Sequence, residues 1–238
     1  MSASPARISA TGAAARSKRV AEFDRHFARR GRGLEFEMEV EWIRHSLPAE
    51  CRRLMDVGCG NGALLAALRR AVSVGIDGSV QGLLAHKKVN RCTFVCSDAT
   101  ALPFAERSFD VLTAQHVIEH IPVFTGAFRE WFRVLRPGGR LYLLTPNAEF
   151  RDPAVFDDPS HVHLFDRRSL RGILGESGFA VRDLRTLGLP WFKEHRGLPS
   201  GWRLRRLIVS HARTLSHVPG CRWNGQTLCC LAQRPVNG

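Results

Sequence analysis

The residues best suited to chemistry lie in a few short segments. In Leu54-Met-Asp-Val-Gly58-Cys-Gly60-Asn-Gly62 an apolar run opens into three alternating glycines and then into leucines at helical spacing. Glycines let a backbone turn tightly and come close to a ligand, and a helix start offers N–H groups with no intrahelical partner. A nicotinamide-binding loop would read G-x-G-x-x-G with its third glycine at position 63, which here is Ala63. An incidental glycine turn is the plain alternative. Downstream, Gly75-Ile-Asp77-Gly78 closes the next apolar run with a carboxylate. That group can accept from both hydroxyls of a ribose, or it can cap a helix starting near Ser79. Ser97-Asp98-Ala99, followed by Leu102-Pro-Phe104, places an acceptor beside apolar residues, as an adenine amine and ring would need. A solvated turn aspartate is the competing reading.

A second group is rich in histidine. His116-Val-Ile-Glu119-His120 puts three polar groups on one face if the segment is helical, and His161-Val-His163 lies in an Asp/Pro-rich loop. His116, His120 and His163 are candidate general bases or substrate contacts. His116, Glu119, His120 and His161 are also a possible ligand set for a divalent metal, set against a structural role.

These segments need a scaffold. Leu54–Val57, Val72–Asp77, Thr93–Cys96, Phe109–Gln115 and Arg140–Thr145 read as strands. Helical patterns alternate with them at Ala63–Arg70, Ser79–Lys87 and Phe124–Leu135, and Arg136-Pro-Gly-Gly is expected to end the last of these. The alternation implies βαβ units and a parallel sheet. Right-handed crossovers then place the motifs along one sheet edge, where open α/β sheets bind ligands. Before the first strand, Glu35–Arg44 reads as a helix with an acidic face. After the fifth come a helix over Asp166–Ser177 and strands at Phe179–Leu187 and Gln226–Ala232.

Composition narrows the class. The 238 residues fit one compact domain over 34–238, preceded by a basic tail over 1–33. The net charge is +13, yet residues 34–189 are balanced and the excess sits on the two flanks. Residues 190–220 form a basic insertion in which Leu204, Leu207, Ile208, Ala212 and Leu215 make an apolar stripe beside Trp202 and several arginines. Three readings stay open for it: a lid on the domain, a peripheral membrane contact, or nucleic-acid binding, which only charge supports. Seven scattered cysteines without a C-x-x-C pair indicate reduced thiols. With no long apolar run and no leader-like segment, a cytoplasmic protein is expected, membrane association being left to the insertion.

Taken together, DVGCGNG, GID, SDATALPFAERSFD, HVIEHI and LRPGGRLYLLTPN resemble the class I S-adenosylmethionine (SAM)-dependent methyltransferases, in the small-molecule, type 11, ubiquinone-biosynthesis-like subgroup. The match runs from about Val40 to Leu187. The resemblance implies a Rossmann-like, doubly wound, seven-stranded α/β sheet whose last strand is antiparallel. It assigns Gly58, Cys59 and Gly60 to the methionine portion of SAM, Asp77 with Gly78 to the ribose, and Asp98 with Ala99 to the adenine. Asp56 would support the loop, and the backbone at Gln115 would face the methionine portion. The histidine segments also resemble the E-x-x-E-H…H pattern of metal-dependent 2′-O-methyltransferases of small-RNA 3′ ends, found in part in ubiquinone-pathway O-methyltransferases, although His116 stands where that pattern has its first glutamate. The implied reaction is methyl transfer to a small-molecule acceptor, at oxygen in preference to nitrogen or carbon, the acceptor being lipidic, quinone-like or a natural product. An RNA ribose 2′-O-methyltransferase and a non-catalytic SAM-binding partner subunit are the alternatives.

Overall fold

The computed structural model describes residues 33–68, 72–85, 92–150, 158–187 and 225–236. The elements along the chain are helix α1 (Leu34–Ser46), β1 (Arg53–Val57), α2 (Ala63–Leu68), β2 (Val72–Asp77), α3 (Val80–Leu84), β3 (Cys92–Cys96) and β4 (Phe109–Gln115). They continue with α4 (Phe124–Val134), β5 (Leu135–Pro146), α5 (Arg167–Glu176), β6 (Ala180–Leu187) and β7 (Thr227–Gln233). One seven-stranded sheet has the order β3-β2-β1-β4-β5-β7-β6. The first five strands pair in parallel, and β7 inserts antiparallel between β5 and β6. The expected Rossmann-like α/β sheet with an antiparallel last strand is what the chain forms. The register aligns Val57 with Ala114, Asp77 with Cys96 and Gln115 with Leu144, so the strands' carboxyl ends share one edge.

Strand alternation builds a core on each face. Met55, Leu112, Leu141 and Leu143 pack with Phe128 and Trp131 of α4 and with Leu170 and Leu174 of α5. Their neighbours Leu54, Val111, Tyr142 and Leu144 face Ile43 of α1 and Leu64 and Leu65 of α2. Both faces of the middle strands are covered, which is why β4 is buried at every position. Helix α5 starts at a reciprocal capping box between Asp166 and Ser169 and stops at Gly178, whose φ of +88° suits glycine.

Two local expectations need correction. Arg136-Pro-Gly-Gly ends α4 but does not separate it from β5, because the strand already begins at Leu135. Leu135 pairs with Phe109 and Arg140 with Val111, so the four intervening residues bulge out within one strand. Gly138 at φ +79° makes the turn, and a Cβ on Gly139 would lie 2.8 Å from the Arg136 carbonyl oxygen. Nor is His116-Val-Ile-Glu119-His120 an α-helix: Ile118–His120 is a single 3₁₀ turn, and His116 precedes it at φ +51°. The tail at 1–32 and the insertion at 190–220 fall outside the described residues.

Candidate active site

The glycine loop leaves β1 through Gly58, Gly60 and Gly62, at φ values of +68°, +50° and +71°. Each lies in the left-handed region that L side chains avoid. A Cβ on Gly58 would sit 2.2 Å from Cγ2 of Val117, so the loop packs directly against the turn after β4. Asp56 is buried, and its Oδ1 accepts the Thr113 hydroxyl at 2.7 Å, bracing β1 against β4 below the loop. The Cys59 amide donates to the Ile76 carbonyl, tying the loop to β2. Burial, with Asp56 and Asp77 nearby, pushes the Cys59 thiol far up, so it is a small neutral filler and not a nucleophile.

Asp77 closes β2 and is buried at 3% exposure. Its Oδ2 accepts the Gly60 amide at 2.7 Å and its Oδ1 the Ser79 amide at 2.8 Å. The helix cap expected of Asp77 belongs instead to Ser79, whose hydroxyl accepts the Gly82 amide. These two bonds fix the Asp77 carboxylate at the end of β2, beside the glycine loop. A Cβ on Gly78 would meet nothing within 4 Å, which leaves room beside that carboxylate. Past β3, Asp98 Oδ1 takes the Thr100 amide and hydroxyl, and the Ala99 carbonyl accepts the Trp131 indole N–H at 3.1 Å. Asp98 itself stays exposed. Turned glycine backbone, a buried carboxylate with open space beside it and an exposed one further along fit the methionine, ribose and adenine portions of SAM in that order.

At the end of β4 the histidines separate into different environments. His116 Nε2 donates to Glu39 Oε1 at 2.9 Å, and its Nδ1 lies 3.4 Å from Glu119 Oε1. Burial opposes charge on this ring, but the two carboxylates outweigh it and hold its pKa up at about 9. Its flanking carboxylates therefore hold His116 as a cation. Glu119 is fully buried, and its Oε2 accepts the Thr145 hydroxyl at 3.0 Å. Its pKa is lowered although burial pushes the other way, because His116 and His120 stabilise the anion.

His120 Nδ1 lies 3.0 Å from the Ser160 carbonyl, which can only accept, so Nδ1 carries a proton and the ring is oriented by that bond. The His120 and His161 rings are 5.0 Å apart. One donor atom each from Glu119, His120 and His161 falls within 4.8 Å of the others. His163 points elsewhere: its Nε2 donates to the Pro122 carbonyl at 3.0 Å, and its ring meets Phe124 edge-on at 4.8 Å. The structure thus brings Glu119, His120 and His161 together, leaves His116 beside Glu119 with its other ring nitrogen on Glu39, and turns His163 toward Pro122.

Glu39, absent from the sequence-based site, joins this region. It is 5% exposed, and its carboxylate accepts from Gln115 Nε2 at 3.1 Å, from His116 and from Thr227 Oγ1 at 3.4 Å. The acidic face expected of α1 is therefore split, with Glu35 and Glu37 in solvent and Glu39 inside. A signal was present, since Glu39 precedes the buried Trp42 and Ile43 by three and four residues, on the same helical face.

Residues 55–143 match the family model described as a methyltransferase domain. The demethylmenaquinone methyltransferase of Roseiflexus sp. (strain RS-1) is 33% identical over 119 residues, 47% of this chain and 50% of that protein. The ubiquinone biosynthesis O-methyltransferase of Pseudomonas fluorescens (strain SBW25) is 31% identical over 127 residues, 50% of this chain and 53% of its own. The chain thus spans about half the length of these relatives. The uncharacterized methyltransferase YcgJ of Bacillus subtilis is 28% identical over 80% of this chain and 86% of its own. Among solved structures, the complex between the Haloferax volcanii Trm112 methyltransferase activator and a methyltransferase superposes with a TM-score of 0.67 at 18% identity, covering 92% of this chain and 95% of that one. The fold, the order of motifs along the carboxyl edge and these matches agree: residues 55–143 match a methyltransferase domain, and the chain is similar to SAM-dependent methyltransferases of class I.

Proposed function

We propose that the protein transfers a methyl group from SAM to an oxygen of a small-molecule acceptor of quinone-like or lipidic character. The observation carrying this reading is the convergence on one sheet edge of the glycine loop, the carboxylates Asp77 and Asp98, and the turn bearing Glu119 and His120. The relatives named for demethylmenaquinone methylation and ubiquinone biosynthesis support the acceptor class.

In this reading Gly58, Cys59 and Gly60 with the Gln115 backbone hold the methionine portion, Asp77 with Gly78 the ribose, and Asp98 with Ala99 the adenine, while Asp56 braces the loop. When bound, SAM would supply an electrophilic methyl whose C–S bond would break, with its electron pair going to sulfur, as the C–O bond formed, while the hydroxyl proton would pass to a base of the site. The chain's main task is alignment at near-attack distance. His120, oriented through Nδ1 by the Ser160 carbonyl, would be the acceptor of that proton. His116 is held as a cation by Glu39 and Glu119, and His163 serves packing on Phe124. Residues 190–220 would bring the domain to a lipid surface, which vesicle sedimentation with neutral and anionic lipids tests.

The reaction is tested by S-adenosylhomocysteine release with small hydroquinones and catechols beside short RNAs, corrected for turnover without acceptor. Release dependent on the small phenols supports the reading. Release with RNA alone would assign the ribose 2′-hydroxyl instead, and SAM binding without release on any acceptor would indicate a non-catalytic subunit.

A further inference from the structure

We propose that Glu130 and Arg133 of α4 are positioning residues for the adenine end of the cofactor, setting base selectivity without touching the base. The inference rests on the methyl-transfer reading and gives a role to two residues which that reading leaves without one.

Helix α4 turns one face to the segment that follows β3. Gly126, Glu130 and Arg133 are spaced i, i+4 and i+7, along one side of the helix. At Gly126 the helix backbone comes close: a Cβ there would already touch Thr100 Cβ, at 3.6 Å. One turn on, Glu130 Oε2 accepts the Leu102 amide at 2.9 Å. Arg133 Nη2 donates to the Leu102 carbonyl at 3.1 Å and Nη1 to the Phe104 carbonyl at 2.8 Å. Trp131 holds the Ala99 carbonyl through its indole N–H. Both main-chain groups of Leu102, and a carbonyl on either side of it, are thus held by α4 side chains.

The two residues also hold each other. Arg133 Nε donates to Glu130 Oε1 and Nη2 to Oε2, each at 2.8 Å, a two-pronged pairing of guanidinium and carboxylate. Glu130 cannot turn away from Leu102 without breaking that fork, and Arg133 is fixed in the same way.

The segment so held carries Asp98. Its Oδ1 accepts both Thr100 donors, and its carbonyl accepts the Ala101 amide. Among the described residues Asp98 Oδ2 receives no hydrogen bond, and the side chain is exposed. A carboxylate can only accept. Fixed in place, Oδ2 suits the exocyclic amine of adenine and repels a carbonyl oxygen standing where that amine would be. A carboxylate on a loose segment could turn aside from the carbonyl and would discriminate less. The hold from α4 therefore makes Asp98 selective, since a supported polar group keeps the geometry its ligand needs.

Base selectivity is the test. S-adenosylhomocysteine and S-inosylhomocysteine, in which a ring carbonyl replaces the amine, are titrated calorimetrically into the full chain, Glu130→Gln and Arg133→Lys, with circular dichroism to establish folding. The parent should prefer the adenosyl ligand at least about tenfold, because a site built to pair with a donor rejects the analogue lacking it. Each variant should lose at least about threefold of that preference through weaker adenosyl binding, with inosyl affinity changed by less than about twofold. Equal proportional losses for the two ligands are what a purely structural role gives, and they overturn the proposal, as does a preference left intact. Should Arg133→Lys not fold, Glu130→Gln, which keeps an acceptor for the Leu102 amide, decides alone. A parent that binds both ligands alike overturns the proposal and leaves the cofactor reading standing; a parent that binds neither overturns both.

Discussion

His116 Nε2 donates to Glu39 Oε1 across 2.9 Å, joining helix α1 to the turn that follows the central strand. The same carboxylate accepts from Gln115 and Thr227, so three strand-end groups lose a partner if it is removed. Glu39→Ala is therefore expected to cost about 2 kcal/mol, below the range for a fully buried pair because His116 is a quarter exposed. Urea denaturation of folded variant and parent measures it, and a cost under about 0.5 kcal/mol would show that the pair holds nothing together.

Gly58 and Val117 predict a steric effect at the loop. Gly58→Ala must place its methyl 2.2 Å from Val117 Cγ2 at a φ of +68°. Left-handed strain of about 1–2 kcal/mol adds to an overpacking cost of about 1–3 kcal/mol. The loop should shift, and SAM affinity should fall by more than tenfold. Gly58→Ala combined with Val117→Ala should recover part of the stability, because only the clash is relieved. A double variant no more stable than the single one would contradict this account.

Two histidines of the same segment should respond differently to mutation. Once an acceptor is identified, His120→Gln should lower kcat by about 10²-fold, the usual contribution of a positioned proton acceptor or ligand. His163→Phe should change kcat by less than about threefold, since the edge-on contact with Phe124 survives. Equal losses would mean that His163 touches the reacting groups.

The acid limb of stability is predicted from Glu130. Hydrogen bonding from Arg133, against a small opposing effect of burial, holds its pKa below the ordinary 4.5. A depressed folded-state value contributes stability above the unfolded pKa and loses it as pH falls through the folded one. The stability difference between parent and Glu130→Gln should therefore be constant above about pH 5 and shrink below about 4. A difference unchanged down to pH 3 would remove the pair from the account. Its magnitude is small, since both side chains are partly exposed.

Much of the scaffold was readable because glycines and strand-end carboxylates are local signals. Gly58, Asp77 and Asp98 stand at strand ends that hydrophobic runs mark out, and the register only had to align them. Arg136-Pro-Gly-Gly misled because a bulge and a strand break use the same residues; pairing with Phe109 and Val111, a long-range fact, decides between them. Glu39 was hidden for a similar reason, since its burial follows from its bonds to Gln115 and Thr227 at the ends of β4 and β7 and not from its acidic neighbours. His116, Glu119 and His120 looked like one helical face, but the positive φ at His116 divides them, sending one ring to Glu39 and the other to Ser160.

Cofactor uptake along the carboxyl edge underlies every role proposed for the site, and calorimetric titration of SAM and S-adenosylhomocysteine into the folded chain and into Asp77→Ala measures it. One site per chain is expected, weakened at least about tenfold in a variant whose circular dichroism stays native. No heat of binding with the folded parent, or equal affinity in the Asp77→Ala protein, would contradict it.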